Sequence, residues 1–103
     1  MTDDAEIKVT HGTGNVFRDF NDPNPDLEQA RVILASQIVA RLDAGKLSTR
    51  AAEALTGVGA AEFSRIRNLR LDRFTLDRLI AILGRLDAEA EVTIDVRPRR
   101  RAA

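Results

Sequence analysis

Ser64, Arg65 and Asn68 stand at helical spacing within Ala60-Ala61-Glu62-Phe63-Ser64-Arg65-Ile66-Arg67-Asn68, and residues of these types can read the edge of a base pair. At 100° per residue, Phe63 and Ile66 fall on one side of such a helix, whereas Ala61, Ser64, Arg65 and Asn68 fall on the other. An outer face that is small, polar and cationic can enter a DNA major groove. Small side chains let the helix axis approach the bases, and one arginine can donate two parallel bonds to guanine O6 and N7. In this reading Arg65 contacts a base, Ser64 and Asn68 flank it, and Ala60 and Ala61 bring backbone close to the DNA. Ser48, Thr49, Arg67 and Arg70 complete the DNA-binding set, the last three on phosphates. The same pattern also suits a small helical domain whose arginines are merely solvated, because helix-turn-helix geometry occurs in domains that touch no DNA.

Such a reading helix needs elements to position it. Before it, Leu47-Ser48-Thr49-Arg50-Ala51-Ala52-Glu53-Ala54-Leu55 has Ser48 placed as a helix cap, small residues that permit close helix packing, and Gly57 as a stop. Thr56-Gly57-Val58-Gly59 is then the turn between two short helices. Upstream, Asn24 as cap, Pro25 at the first helical position and Asp26 and Glu28 in the first turn predict a helix ending at Gly45. Its buried arc is Leu34, Ala35, Ile38, Val39 and Leu42, and Ile33 points away from that arc. Downstream, Thr75 caps a last helix in which Leu76, Leu79, Ile80 and Leu83 close the core, running to about Leu86.

Beyond that helix the period changes. Val92, Ile94 and Val96 alternate with Thr93, Asp95 and Arg97, the pattern of a half-buried strand. A lone strand leaves its backbone donors and acceptors unpaired, so a partner is required. The same strand of a second copy would supply one across a two-fold axis, with Val92, Thr93, Ile94, Asp95 and Val96 as the dimer interface; Ile7-Lys8-Val9 is the weaker option. Two-fold symmetry would suit inverted DNA half-sites roughly 34 Å apart.

These segments carry a resemblance. Leu47 to Arg50 through Thr56-Gly57-Val58, then Glu62 to Asn68, then Arg73-Phe74-Thr75-Leu76-Asp77-Arg78-Leu79 resemble the Xre-type helix-turn-helix of HigA-like antitoxins. Gly14-Asn15-Val16-Phe17-Arg18-Asp19 and Val92-Thr93-Ile94-Asp95-Val96-Arg97-Pro98 extend the match to residues 14–98. The resemblance implies a DNA-binding antitoxin that represses its own operon as a dimer and neutralises a RelE/HigB-like toxin, an endoribonuclease. A stand-alone Xre-family regulator and a protein-interaction module without DNA binding are the alternatives. The chain departs from the family at Gly59-Ala60-Ala61, which offers backbone but few side-chain bonds to bases. It departs again at Glu53, where many relatives have alanine; a carboxylate packed between helices needs a partner, and Arg65 or Arg67 could serve.

The fold class expected is mainly α, an Xre/lambda-repressor-like helix-turn-helix bundle with a C-terminal β-strand pairing across a dimer. Residues 1–23 form a weakly structured acidic arm, 24–88 the helix-turn-helix domain, 89–98 the dimerising strand and 99–103 a basic tail. At 103 residues there is little margin for a separate catalytic domain. Without cysteine and with His11 alone, metal clusters and Ser-His or Cys-His nucleophilic pairs cannot be built in one chain, and Gly12-Thr13-Gly14 lacks the third glycine of a phosphate loop. No enzyme, metal or cofactor is expected, and no signal or membrane-spanning pattern is present; a soluble, cytoplasmic protein follows.

Net charge is zero, yet the charges are segregated. Residues 1–30 carry two basic and seven acidic side chains, while 57–85 carry six arginines against three acids. The reading segment is thus locally cationic. The acidic arm, with apolar Val16, Phe17 and Phe20, suits the basic groove expected of a RelE-like ribonuclease. These three residues and Ile33 are the expected toxin-binding set.

Overall fold

The computed structural model describes residues 24–99, in which four helices follow one another. Helix α1 (Pro25–Ala44) opens as its sequence requires: Asn24 Oδ1 accepts from the Leu27 amide at 3.1 Å, Pro25 occupies the first turn, and Asp26 and Glu28 lie at the positive end of the helix dipole. Helices α2 (Thr49–Thr56), α3 (Ala60–Arg67) and α4 (Leu76–Leu86) complete the bundle. Ser48 caps α2 by accepting from the Ala51 amide, and Thr75 caps α4 by accepting from that of Arg78.

The helix ends explain the turns. Gly57, at φ 80, stops α2 in the left-handed region that glycine enters without strain. The other two left-handed ends carry side chains. Lys46 (φ 55) follows α1 and Leu69 (φ 57) follows α3. In each case the carbonyls of the last turn are met by paired backbone bonds: Lys46 N to Asp43 O and Leu47 N to Leu42 O, then Leu69 N to Ile66 O and Arg70 N to Arg65 O. Gly45 precedes the left-handed residue; a Cβ there would stand 3.3 Å from Leu47 Cγ and 3.4 Å from the Arg41 carbonyl.

Helix α1 packs chiefly on α4, and the α2–α3 pair closes against both. Leu34, Ala35, Ile38 and Leu42 meet Ala52, Val58, Phe63 and Ile66 from the middle of the chain and Leu71, Phe74, Leu79, Ile82 and Leu83 from its later part. Complete burial of side chains such as Phe63, Ile38 and Leu79 contributes about 1.5–3 kcal/mol each. Val39 and Leu76 are only partly buried, and Ile80 is exposed; the core position expected for Ile80 belongs to Ile82. Arg31 is a further core member, 2% exposed, whose Nε donates to the Phe74 carbonyl at 2.9 Å and whose Nη1 meets Glu28 at 3.1 Å.

The expected strand is not formed. Among the described residues there is no β-structure, and 91–99 run without a ladder, because no other described segment lies beside them as a strand to bond. Arg41 holds Asp87 at 3.2 Å, and the chain then returns toward the start of α1, where Arg99 meets Asp26 at 3.0 Å. On the way, residues 92–95 border a cleft shared with Ile33, Leu34, Leu76 and Ile80, so Ile80 faces this segment. Ile94 and Val96 are 80% and 86% exposed, and the strand expected to pair across a dimer has no ladder partner among the described residues. Ile7, Val9, His11, Val16, Phe17, Phe20, Arg100 and Arg101 lie outside the described residues.

Candidate nucleic-acid interface

Placement of the reading helix begins with Thr56. Its hydroxyl donates to the Ala52 carbonyl at 2.7 Å and accepts from the Val58 amide at 3.0 Å, so one buried side chain both ends α2 and orients the turn. Gly59 starts α3 without a side-chain cap, its carbonyl taking the amides of Glu62 and Phe63. Phe63 and Ile66 are wholly buried, which fixes the rotation of α3 and leaves Ala61, Ser64, Arg65 and Asn68 on the exposed side. The face expected from periodicity is therefore assembled, with Ala60 half-buried at its edge.

Within this face the arginines differ. No hydrogen bond or ion pair among the described residues engages the side chains of Arg50, Arg65, Arg70 or Arg73, so their donors remain available. Arg67 is committed: Nη2 lies 3.1 Å from Asp43 Oδ1 and 3.5 Å from the Leu47 carbonyl. Arg78 binds Glu62 through Nε and Nη2, with contacts from 2.8 to 3.1 Å, and the carboxylate raises the guanidinium pKa further. Glu62 is thereby neutralised beside Arg65. The two pairs tie the end of α3 to α1 and its beginning to α4.

Glu53 corrects an expectation. It is exposed and makes no ion pair among the described residues, so it is not packed between helices and requires neither Arg65 nor Arg67. Asn68 Nδ2 donates to the Ser64 carbonyl at 2.9 Å, leaving the amide oxygen and the second N–H as its remaining bonding capacity. Ser48 spends its hydroxyl oxygen on the cap, and Thr49 is half-buried at the start of α2. Ile33, 52% exposed, shares clefts with Ile94.

Sequence reasoning did not assign Arg73, Thr75 or Arg78 to this surface. Together with Glu62, Arg65 and Phe74 they line a cleft of about 670 Å³ between α3 and the start of α4. The Thr75 hydroxyl beside Asp77 holds that carboxyl below the usual carboxylate range, so the first turn of α4 carries a negative charge next to these cations. The dipeptide Arg73-Phe74 before a capping threonine is a local signal; that it lies against Glu62 is not, because sixteen residues separate Glu62 from Arg78.

The helix-turn-helix domain family matches residues 16–95 of this chain. A solved structure described as "Putative XRE Family Transcriptional Regulator" superposes with a TM-score of 0.64 at 36% sequence identity, covering 79% of this chain and 91% of the other. The chain belongs to the Xre-type helix-turn-helix family. No curated protein matches it. In this Xre-type chain α2 and α3 are the helix-turn-helix pair, and the exposed side of α3 is the surface available for contact. Among the described residues no helix is long and apolar enough to cross a membrane, and no group of three acidic or histidine side chains could hold a metal.

Proposed function

We propose that this protein is a transcriptional regulator that binds double-stranded operator DNA by inserting the outer face of α3 into the major groove. The observation that carries this reading is the exposed Arg65, without an intramolecular partner among the described residues, on a face otherwise made of Ala61, Ser64 and Asn68. A guanidinium with all its donors available on a narrow helix face has the geometry for a bidentate guanine contact. Ser64 and Asn68 flank that contact, Ala60 and Ala61 allow close approach, and Ser48, Thr49 and Arg70 meet the backbone. The likeness to the XRE family regulator supports the same reading. A gel-shift experiment with the DNA upstream of the chain's own reading frame tests it: a retarded band that survives excess unrelated DNA is expected, and its absence would leave a protein-interaction module.

Homodimerisation is part of this proposal. Val92, Thr93, Ile94, Asp95 and Val96 are all exposed in the single chain, and a second copy can offer them the ladder they lack. Light scattering should give twice the chain mass, and truncation before Glu91 should give a monomer with weaker operator binding.

We further propose an antitoxin role toward a RelE/HigB-like ribonuclease, on the resemblance to HigA-like antitoxins. It assigns Val16, Phe17, Phe20 and Ile33 to the toxin. Ile33 supports it by being half exposed and by not lining the cationic cleft beside α3. Deleting residues 1–23 should spare operator binding and reduce toxin neutralisation; full neutralisation by the deleted form would move the grip to the helical body. A stand-alone regulator is distinguished by the absence of a toxin gene beside this one.

A further inference from the structure

We propose that Arg85 is a positioning residue for the reading helix: from the last turn of α4 it fixes the α2–α3 turn, and so sets how Ala60, Ala61 and Arg65 meet DNA. The inference rests on the DNA-binding reading above. Arg85 Nη1 donates to the Thr56 carbonyl at 2.9 Å, across twenty-nine residues of sequence. The same nitrogen lies 3.7 Å from the point where a Cβ on Gly57 would sit, so the guanidinium rests against the left-handed residue that turns the chain toward α3.

Three features give this single bond its leverage. The last carbonyls of any helix lack intrahelical partners, and α2 has no basic residue in its own last turn, so Arg85 supplies from another helix the cation that complements the negative end of α2. With the Thr56 hydroxyl bonded to Ala52 O and Val58 N, the arginine completes the polar pairing of this buried residue. Helix α3 has no side-chain cap at Gly59, so the turn, together with the Glu62–Arg78 pair and the buried Phe63 and Ile66, sets how it starts.

Helix α4 is a firm base for the clamp, since Leu79, Ile82 and Leu83 are buried beneath it. Arg85 itself is exposed, so replacing it opens no core cavity. A bidentate base contact tolerates errors of only about 0.5 Å, so loosening the turn should cost sequence discrimination before it costs folding.

Arg85→Met removes the charge and all donors while keeping the apolar stem, and Arg85→Lys keeps the charge and one flexible donor. Both are measured in the full chain against the upstream operator duplex and a scrambled duplex over a range of salt, together with amide exchange at Gly57 and Val58. For Arg85→Met the ratio of specific to non-specific affinity should fall about tenfold with the salt slope unchanged, and both amides should exchange faster. Arg85→Lys should recover part of the ratio. An equal loss on both duplexes with the slope reduced by about one would make Arg85 a phosphate ligand instead and overturn the proposal. An unchanged ratio would also overturn it. If the unaltered chain fails to distinguish the duplexes, the DNA-binding reading fails, while unaltered exchange at Gly57 and Val58 in Arg85→Met would independently remove the clamp.

Discussion

The guanidinium of Arg67 lies 3.1 Å from the carboxylate of Asp43, tying the last turn of α3 to the end of α1. Two residues earlier Arg65 has no such tie among the described residues, and the contrast separates two arginines that look equivalent in sequence. The pair is partly solvated, at 34% and 64% side-chain exposure, so breaking it should cost less than about 1 kcal/mol of stability in urea unfolding. Asp43→Ala frees the Arg67 charge and should steepen the salt dependence of DNA binding by up to about one unit. Arg67→Ala should leave that slope unchanged; a reduction would show that Arg67 abandons Asp43 for a phosphate.

Arg31 should be among the most sensitive positions in the domain. Its Nε holds the Phe74 carbonyl just ahead of α4, and the side chain is 2% exposed. Arg31→Ala leaves that carbonyl without its donor and a cavity in place of the side-chain stem. A loss of about 3–5 kcal/mol is expected in equilibrium unfolding. Arg31→Met, which refills the space, should recover part of it. A loss below about 1 kcal/mol for Arg31→Ala would mean that the bundle does not depend on this link.

Leu69 offers a stabilising change. It adopts φ 57 after α3 while the residue is 53% exposed, so it incurs left-handed strain and gains little burial in return. Leu69→Gly should raise stability by up to about 1 kcal/mol, read as a higher urea midpoint at constant slope. Lys46→Gly, at φ 55, should act in the same direction. A fall in stability at Leu69 would indicate that its apolar contacts outweigh the backbone strain.

The helices were legible because their signals are local. Asn24-Pro25, Ser48, Gly57 and Thr75 act within three or four residues of their own positions, and Phe63 with Ile66 rotates α3 as a period of 3.6 requires. Choices between neighbouring apolar residues were not legible. Ile80 and Ile82 are alike in sequence, and only the packing of α4 in the bundle places Ile82 in the core and leaves Ile80 at its edge. Long-range polar pairs were hidden for the same reason: Arg31 with Phe74, Arg78 with Glu62 and Arg85 with Thr56 each need two distant elements to be in place first. Alternation in 92–96 predicts a strand, but a ladder needs a second strand, and the described chain has none to give.

Base reading by Arg65 is tested most directly by a binding titration against the upstream operator and every single-base substitution within one half-site. The unaltered chain should lose about 1–3 kcal/mol at the base pair that Arg65 contacts. Arg65→Ala should bind the operator more weakly by about the same amount and no longer distinguish bases at that one position, whereas Arg70→Ala should weaken all sequences alike. If Arg65→Ala keeps the full pattern of base preferences, Arg65 does not read the operator, and the assignment of α3 as a reading helix led by that arginine is contradicted.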